Sequence, residues 1–386
     1  MTSPWARRAA IIITATATLA VLAACTPMPT PTAPGSTTAS GTSAPTATPT
    51  PTPTATISSL DQTPPAALLN LSCNDLGATA SIAVAYPNTP LVTNPDVTAG
   101  DLANNTNAIP IADYIRADGG IVCLWDKTGD NNYRFEGRPN PSFEITVIFN
   151  AAAAWTKNQT IGLAQGDTAG SCDVGVCQGD QFINGNTWLD ILELEPVSAG
   201  QENAFVKSLK KSIAAIKAAG TPATLPAQPA GTLALGTQCP DFIANSAVQT
   251  ALGSGTVVSN TPAAYLEDPY TYSTWDGAQD GLNDHPCVWK VAGKKVGSLS
   301  WVPGGAWAWT DAQSHPQLDG PAKPLAVPGL PDGDGAWVRC SPSGSSCTTD
   351  LVIGGDWIEA NLAKTGPASK LAAITAIATG IVAKLG

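Results

Sequence analysis

The sequence predicts an α+β fold: two tandem copies of one module, each an antiparallel sheet with an N-terminal and a C-terminal helix and two disulfides. Three observations carry this expectation. The cysteines fall into two blocks of similar rhythm, a Cys-x-Trp stretch occurs once in each block, and each block closes on an amphipathic segment ending in glycine.

The chain has nine cysteines, and setting Cys25 aside leaves 9 − 1 = 8. Cys73, Cys123, Cys172 and Cys177 are spaced by 50, 49 and 5 residues; Cys239, Cys287, Cys340 and Cys347 by 48, 53 and 7. An even number in an exported chain reads as disulfides. Matching blocks favour pairing inside each one: Cys73–Cys123 with Cys172–Cys177, and Cys239–Cys287 with Cys340–Cys347. A second arrangement, in which both bridges of a block cross its long gap, stays open on spacing alone. No CxxC pair and no histidine accompanies these cysteines, so no structural metal is expected.

The likeness extends past cysteine. "FEITVIFNAAAAW" (143–155) aligns with "GSLSWVPGGAWAW" (297–309), and "CQGDQFINGNTWLDILEL" (177–194) with "CTTDLVIGGDWIEANL" (347–362). The closing segments 199–220 and 365–386 also align. The expected organisation is therefore a signal peptide at 1–24, a lipidated Cys25 opening a tether to residue 63, module one at 64–220, a linker at 221–235, and module two at 236–386. Modules of this size are large enough to hold a core each.

Within a module the elements follow from pattern. "CPDFIANSAVQTALG" carries Phe242, Ile243, Val248 and Leu252 at helix-compatible spacing, with its cysteine at the start. "IVCLW" and "FEITVIF" are rich in strand formers. Asn-Gly in the first copy and Gly-Gly in the second stand between apolar runs, a hairpin signal because these residues reach positive φ cheaply. Phe205, Leu209, Ile213 and Ile216 form the apolar stripe of one closing helix; Leu371, Ile374, Ala378, Ile381 and Leu385 form the other. Lys207, Lys210, Lys211 and Lys217 read as the solvated face of the first of these.

The N-terminus speaks for export. Arg7 and Arg8 precede the apolar run "AAIIITATATLAVLAA", which at about 1.5 Å per residue is too short to span a hydrocarbon core of about 30 Å. Leu22-Ala23-Ala24-Cys25 has the form of a lipobox, which would acylate the Cys25 thiol and make it the mature N-terminus. The Thr/Pro-rich stretch that follows cannot offset its ordering entropy by burial and is expected to be an extended tether. A net charge of −11 excludes nucleic acid as a partner class, since phosphate binding needs clustered cations. The expected membrane attachment is through lipid alone.

A lipobox, such a tether, a cysteine opening a helix and a later Cys-x-Trp strand resemble the small exported lipoprotein domains of actinobacteria, which include a widespread family of unassigned function. This chain departs from them in its second, close cysteine pair and in being doubled. The resemblance implies a lipid-anchored, mostly non-catalytic protein on the outer face of the membrane. It names no ligand.

A catalytic set is not evident. Only His285 and His315 are present, each before proline, and neither G-x-S-x-G nor H-E-x-x-H occurs. Glu267, Asp276, Asp280 and Asp356 have no special context, and "DKTGDNN" and "PDGDG" fail the EF-hand pattern. No cofactor and no metal are expected. Trp125, Trp155 and Trp188 match Trp289, Trp309 and Trp357, as core residues of a shared module would. Trp275, Trp301, Trp307 and Trp337 lack counterparts, aligning with Ile111, Val147, Ala153 and Ala169. Either they fill a core of different shape, or, since Trp for Val or Ala overpacks a filled core, some are exposed as a ligand-binding face. Trp307 is the strongest candidate for exposure. The reading is a non-enzymatic binding or sensing lipoprotein with a cell-wall glycan or envelope protein as partner. Its alternatives are a transporter's solute-binding lipoprotein, or a wall hydrolase in which two carboxylates face one another.

Overall fold

A computed structural model describes residues 64–86, 91–93, 109, 111–127, 142–161, 171–173, 176–194, 201–225, 227, 232–253, 258–262, 274–282, 286–313, 322–363 and 369–386. Two antiparallel sheets organise them. The first half contributes α1 (Cys73–Leu76), α2 (Thr79–Ala85), β1 (Leu91–Thr93), α3 (Ile111–Ala117), β2 (Ile121–Lys127), β3 (Ser142–Ile148), α4 (Ala152–Ile161), β4 (Ser171–Asp173), β5 (Val176–Ile183), β6 (Thr187–Leu194) and α5 (Gln201–Ala219). The second contributes α6 (Cys239–Phe242), α7 (Asn245–Ala251), β7 (Val258–Pro262), α8 (Thr274–Gly281), β8 (Cys287–Val291), β9 (Lys294–Val302), α9 (Ala306–Gln313), β10 (Lys323–Pro324), β11 (Gly335–Cys340), β12 (Cys347–Ile353), β13 (Asp356–Leu362) and α10 (Lys370–Leu385). The sheets run β1-β2-β3-β6-β5-β4 and β7-β8-β9-β13-β12-β11-β10. Their strand orders correspond one to one, with β10 added at an edge of the second.

The Cys-x-Trp spacing has a direct structural meaning. Residues i and i+2 of a strand share a face, so Cys123 and Trp125 turn together toward α1, α2 and α5, while Val122 and Leu124 turn the other way. Cys123 bonds Cys73 in α1, and Cys287 bonds Cys239 in α6, at Cα separations of 5.5 and 5.6 Å. Cys172–Cys177 and Cys340–Cys347 clip β4 to β5 and β11 to β12. The Trp125 ring lies against Gly77, where a Cβ would strike it.

The opening helix of each half is broken, contrary to the single helix expected over 239–253. Ile243 is extended at φ −153°, ψ 132°, separating α6 from α7. Such a break leaves backbone groups unpartnered unless something meets them. In the first half α5 does this: the Ala78 amide donates to Ser208 Oγ at 3.0 Å, Ser212 Oγ donates to the Leu76 carbonyl at 3.1 Å, and Lys211 donates to the carbonyls of Asn74 and Gly77. Lys211 thus stays exposed on that helix face while its ammonium caps these carbonyls. In α10 the buried stripe is Ala373, Ile374, Ile377, Ala378, Ile381 and Val382, and Leu371 lies outside.

The hairpins follow turn chemistry. Gly354 and Gly355, with φ of 57° and 88°, make the two-residue loop between β12 and β13. Asn184 and Gly185, at 53° and 75°, begin the loop between β5 and β6. Ala292-Gly293 makes a further two-residue turn between β8 and β9 at 49° and 76°, a position without a usual hairpin signal at its first residue.

Each half builds a core between its sheet and its first and last helices, as the pattern predicts. A third core joins the halves. It takes Tyr114, Ile115, Val122, Leu124, Ile148 and Trp188 from the first and Ala278, Val302, Trp307, Trp309, Val352 and Trp357 from the second. Both halves therefore lie in one compact unit, whereas the size of a module suggested independent cores. Helix α8 comes close to the first sheet because Gly277 has no side chain; a Cβ there would lie 2.7 Å from Ile148 Cδ1 and 3.1 Å from the Ala154 Cβ. Gly277→Leu should therefore lower stability by about 1–3 kcal/mol through overpacking, read as a lower urea midpoint with the disulfides intact. An unchanged midpoint would remove the close approach from the account.

Candidate functional site

The sheet faces that meet the shared core carry polar side chains at matching positions. On the first sheet Asp180 in β5 stands directly across from Asp190 in β6, with Thr146 of β3 next in register. On the second, Asp350 in β12 stands across from Glu359 in β13, followed by Ser300 of β9. Trp188 Nε1 donates to Asp180 Oδ1 at 2.8 Å; Trp357 Nε1 donates to Asp350 Oδ1 at 3.0 Å. The same indole-to-carboxylate bond is built twice. Like charges directly opposite on a sheet repel, so neither pair can ionise fully at low cost.

The halves then differ. In the second, Arg339 Nη2 from β11 lies 3.0 Å from Asp350 Oδ2 and donates to Glu359 Oε2 at 3.2 Å, and its guanidinium stands over the Trp309 ring at 5.8 Å. All three charged residues are buried, Arg339 and Glu359 4% exposed and Asp350 not at all. Burial, then the Asp350 charge, holds the Glu359 carboxyl well above its ordinary range. Burial also raises Asp350, while Arg339 and Trp357 oppose the rise. Burial thus holds both carboxyls toward the neutral form, and the one guanidinium between them opposes it. In the first half the strand position of Arg339 belongs to Ser171: each precedes the cysteine clipped to the neighbouring strand. Asp180, Asp190, Trp155 and Phe182 are only half-buried. Trp155 stacks on Phe182 at 5.4 Å with the planes 5° apart, and meets Trp188 edge-on at 5.3 Å. Burial raises the Asp180 carboxyl and the Trp188 bond opposes it.

Of the tryptophans without counterparts, Trp301 and Trp307 are buried, 1% and 5% exposed, so neither is the exposed platform that overpacking suggested. The reason is that the face an isolated module would show to water is interior here. Trp307 lies in the shared core with the Arg116 guanidinium of α3 4.8 Å over its ring. Trp301 packs against Phe242 at 3.9 Å, in the core between the second sheet and its own helices. Trp337 is half-buried, 5.0 Å from Trp309. Trp275 lies in α8, with its side chain outside the described residues, as are Cys25, Glu267, His285 and His315.

Other acids serve the fold. Asp356 accepts from the Gly304 amide at 2.7 Å and the Leu233 amide at 3.0 Å, pinning the linker to a turn, and burial pushes it up to about 7. Asp334, within "PDGDG", accepts from the Gly354 amide at 3.0 Å. Asp280 pairs with Lys157 across the halves at 2.6 Å. Among the described residues no three His, Cys, Asp or Glu side chains gather as a metal site would require, and no helix is long and apolar enough to cross a membrane.

The carboxylate pairs escaped the sequence reading, although a signal was there. Cys-x-x-Asp followed by Trp-x-acid occurs as Cys177, Asp180, Trp188, Asp190 and again as Cys347, Asp350, Trp357, Glu359. No family model matches the chain, and no curated protein and no solved structure is similar enough to carry an inference.

Three buried acids give the fold a pH dependence. Burial pushes Asp118, beside Gly281 of α8, up to about 8 and Glu193 up to about 7, with Asp356 also at about 7. Unfolded carboxyls titrate near 4, so between roughly pH 4 and 8 the folded chain binds more protons and stability falls as pH rises. Melting temperature should drop from pH 5 to pH 8, and Glu193→Gln should flatten that slope; a rise in melting temperature over this range contradicts the assignment.

Proposed function

We propose that this chain is a non-enzymatic extracytoplasmic lipoprotein, anchored through Cys25, whose folded head arose by duplication and binds a component of the cell envelope or a protein partner. The observation that carries it is the full oxidation of the eight cysteines of the head, four in each half. Such usage belongs to an oxidising compartment, and the lipobox of residues 22–25 supplies the route there. Duplication is supported by the corresponding strand orders, bridges and indole–carboxylate bonds. It is further supported by the actinobacterial resemblance of the leader, tether and Cys-x-Trp strand.

A transporter's solute-binding protein is a weaker reading. Such proteins close a cleft between two lobes, and here a packed apolar core occupies the contact between the halves. One observation favours wall-polymer hydrolysis as a second reading: two acids face one another at Asp180 and Asp190, with partial exposure. Release of reducing ends from wall fragments by the native chain and not by Asp180→Asn would decide for it; release by neither would end it.

Mass spectrometry of the mature protein tests the anchor. The N-terminal peptide should begin at Cys25 and carry acyl chains, and Cys25→Ser should move the protein from the membrane fraction to the medium. An unmodified Cys25 in membrane-bound protein would overturn the lipoprotein reading.

A further inference from the structure

We propose that the Cys172–Cys177 bridge is a thiol-exchange site, opened by a thiol from outside the chain, with Glu193 as the proton donor to the sulfur that leaves. The inference goes beyond the binding reading: exchange once per molecule changes the head without turnover.

Three features set this bridge apart. Of the eight bridged cysteines only Cys172 is exposed; Cys340 is half-buried and the other six are buried. Cys172 lies in β4, a three-residue strand at the sheet edge paired to β5 alone, so the bridge can open without disturbing the interior of the sheet. Its partner Cys177 is buried and stands directly across β5 and β6 from Glu193. Directly opposed residues of an antiparallel pair turn to one face, with Cβ atoms about 4.5–5.5 Å apart. The row runs Cys172, Cys177, Glu193, Phe143 and Trp125 over β4, β5, β6, β3 and β2, on the face that meets α1, α2 and α5.

A carboxyl in that row is costly to the fold. Glu193 is 0% exposed, and neither of its carboxyl oxygens finds a hydrogen bond of good geometry. The Tyr86 phenol is the titratable group that acts on it. The buried residues of α5 over this sheet, Ala204, Phe205, Ser208, Leu209, Ser212 and Ile216, carry no charge. Burial pushes the Glu193 carboxyl up to about 7, where an acid near the operating pH donates most effectively. The second half builds the same clip without the acid: Cys347 stands across from Leu362.

The exchange needs such a donor. A thiolate attacks the accessible sulfur, Cys172 Sγ, and bonds to it. The Cys172–Cys177 bond breaks and its electron pair goes to Cys177 Sγ, which without a proton would be a thiolate in an apolar core. The Glu193 proton passes to that sulfur, giving a Cys177 thiol, and the carboxylate recovers a proton from solvent. A second thiolate then attacks the incoming sulfur of the mixed disulfide and frees Cys172, which is protonated by water. Two external thiols are oxidised to one disulfide as the bridge is reduced to two thiols.

The mature chain is treated with reduced glutathione or with a peptide carrying two cysteines, trapped with N-ethylmaleimide and mapped by mass spectrometry. Cys172–Cys177 should open about tenfold or more faster than Cys340–Cys347, with glutathione carried on Cys172 and maleimide on Cys177. Reaction with glutathione assigns a small thiol as partner; reaction confined to the peptide assigns a protein dithiol. Per unit of thiolate, the rate should fall as pH rises through about 7, because the protonated donor is lost. Glu193→Gln should lower the rate about tenfold or more and remove that fall; should the variant not fold, the pH profile of the native chain decides. Equal or faster opening of Cys340–Cys347, glutathione on Cys177, or a thiolate-normalised rate that ignores pH overturns the proposal. So does full speed in folded Glu193→Gln. Acylation of Cys25 is read separately, so failure here leaves the lipoprotein reading standing.

Discussion

Helices α3 and α8 hold corresponding places before the Cys-x-Trp strands of their halves and pack on one another, and each also reaches the other half's sheet. The arrangement is reciprocal, as in an isologous dimer whose two subunits are joined in one chain. Each sheet consequently has two buried faces: one under its own first and last helices, the other in the shared core. The arrangement requires Gly277 where α8 meets Ile148, it buries Trp307 beneath Arg116, and it removes from water the Asp350–Glu359 pair on the inner face of the second sheet.

Burying acids in such a place is costly unless they are paired or protonated, and the halves meet that cost differently. The second uses Arg339, giving a closed cluster in which Trp309, Trp337 and Trp357 complete the packing. The first lacks a guanidinium at the matching strand position and leaves its acids partly wet. Matching strand positions are thus partly wet in one half and sealed in the other. Trp307, buried, and Trp337, half-buried, belong to the closure of the second half, while the first half keeps the more accessible polar cluster.

Much of the architecture was legible because local rules and tertiary demands agree. The Gly-Gly and Asn-Gly turns and the two-residue step from Cys to Trp each have one physical solution, and the structure adopts it, while the closing helices bury most of their expected stripes but leave Leu371 outside. What was not legible depended on contacts between the halves. Trp307 looked too large for its position because the aligned Ala153 fixed an expectation of a filled core, and no local pattern tells that a second sheet supplies new volume. The break at Ile243 was hidden since Phe242, Ile243 and Val248 keep an apolar spacing on either side of it. Asp180 and Glu359 passed without mention in the sequence, since only strand register sets each against another acid. Sequence spacing marks faces well; it does not say what a face will meet.

Differential scanning calorimetry of the mature head with its disulfides intact tests the shared core most directly. A common interior requires the halves to melt together, giving one transition whose calorimetric and van't Hoff enthalpies agree. Two separable transitions, one for each sheet, would contradict it.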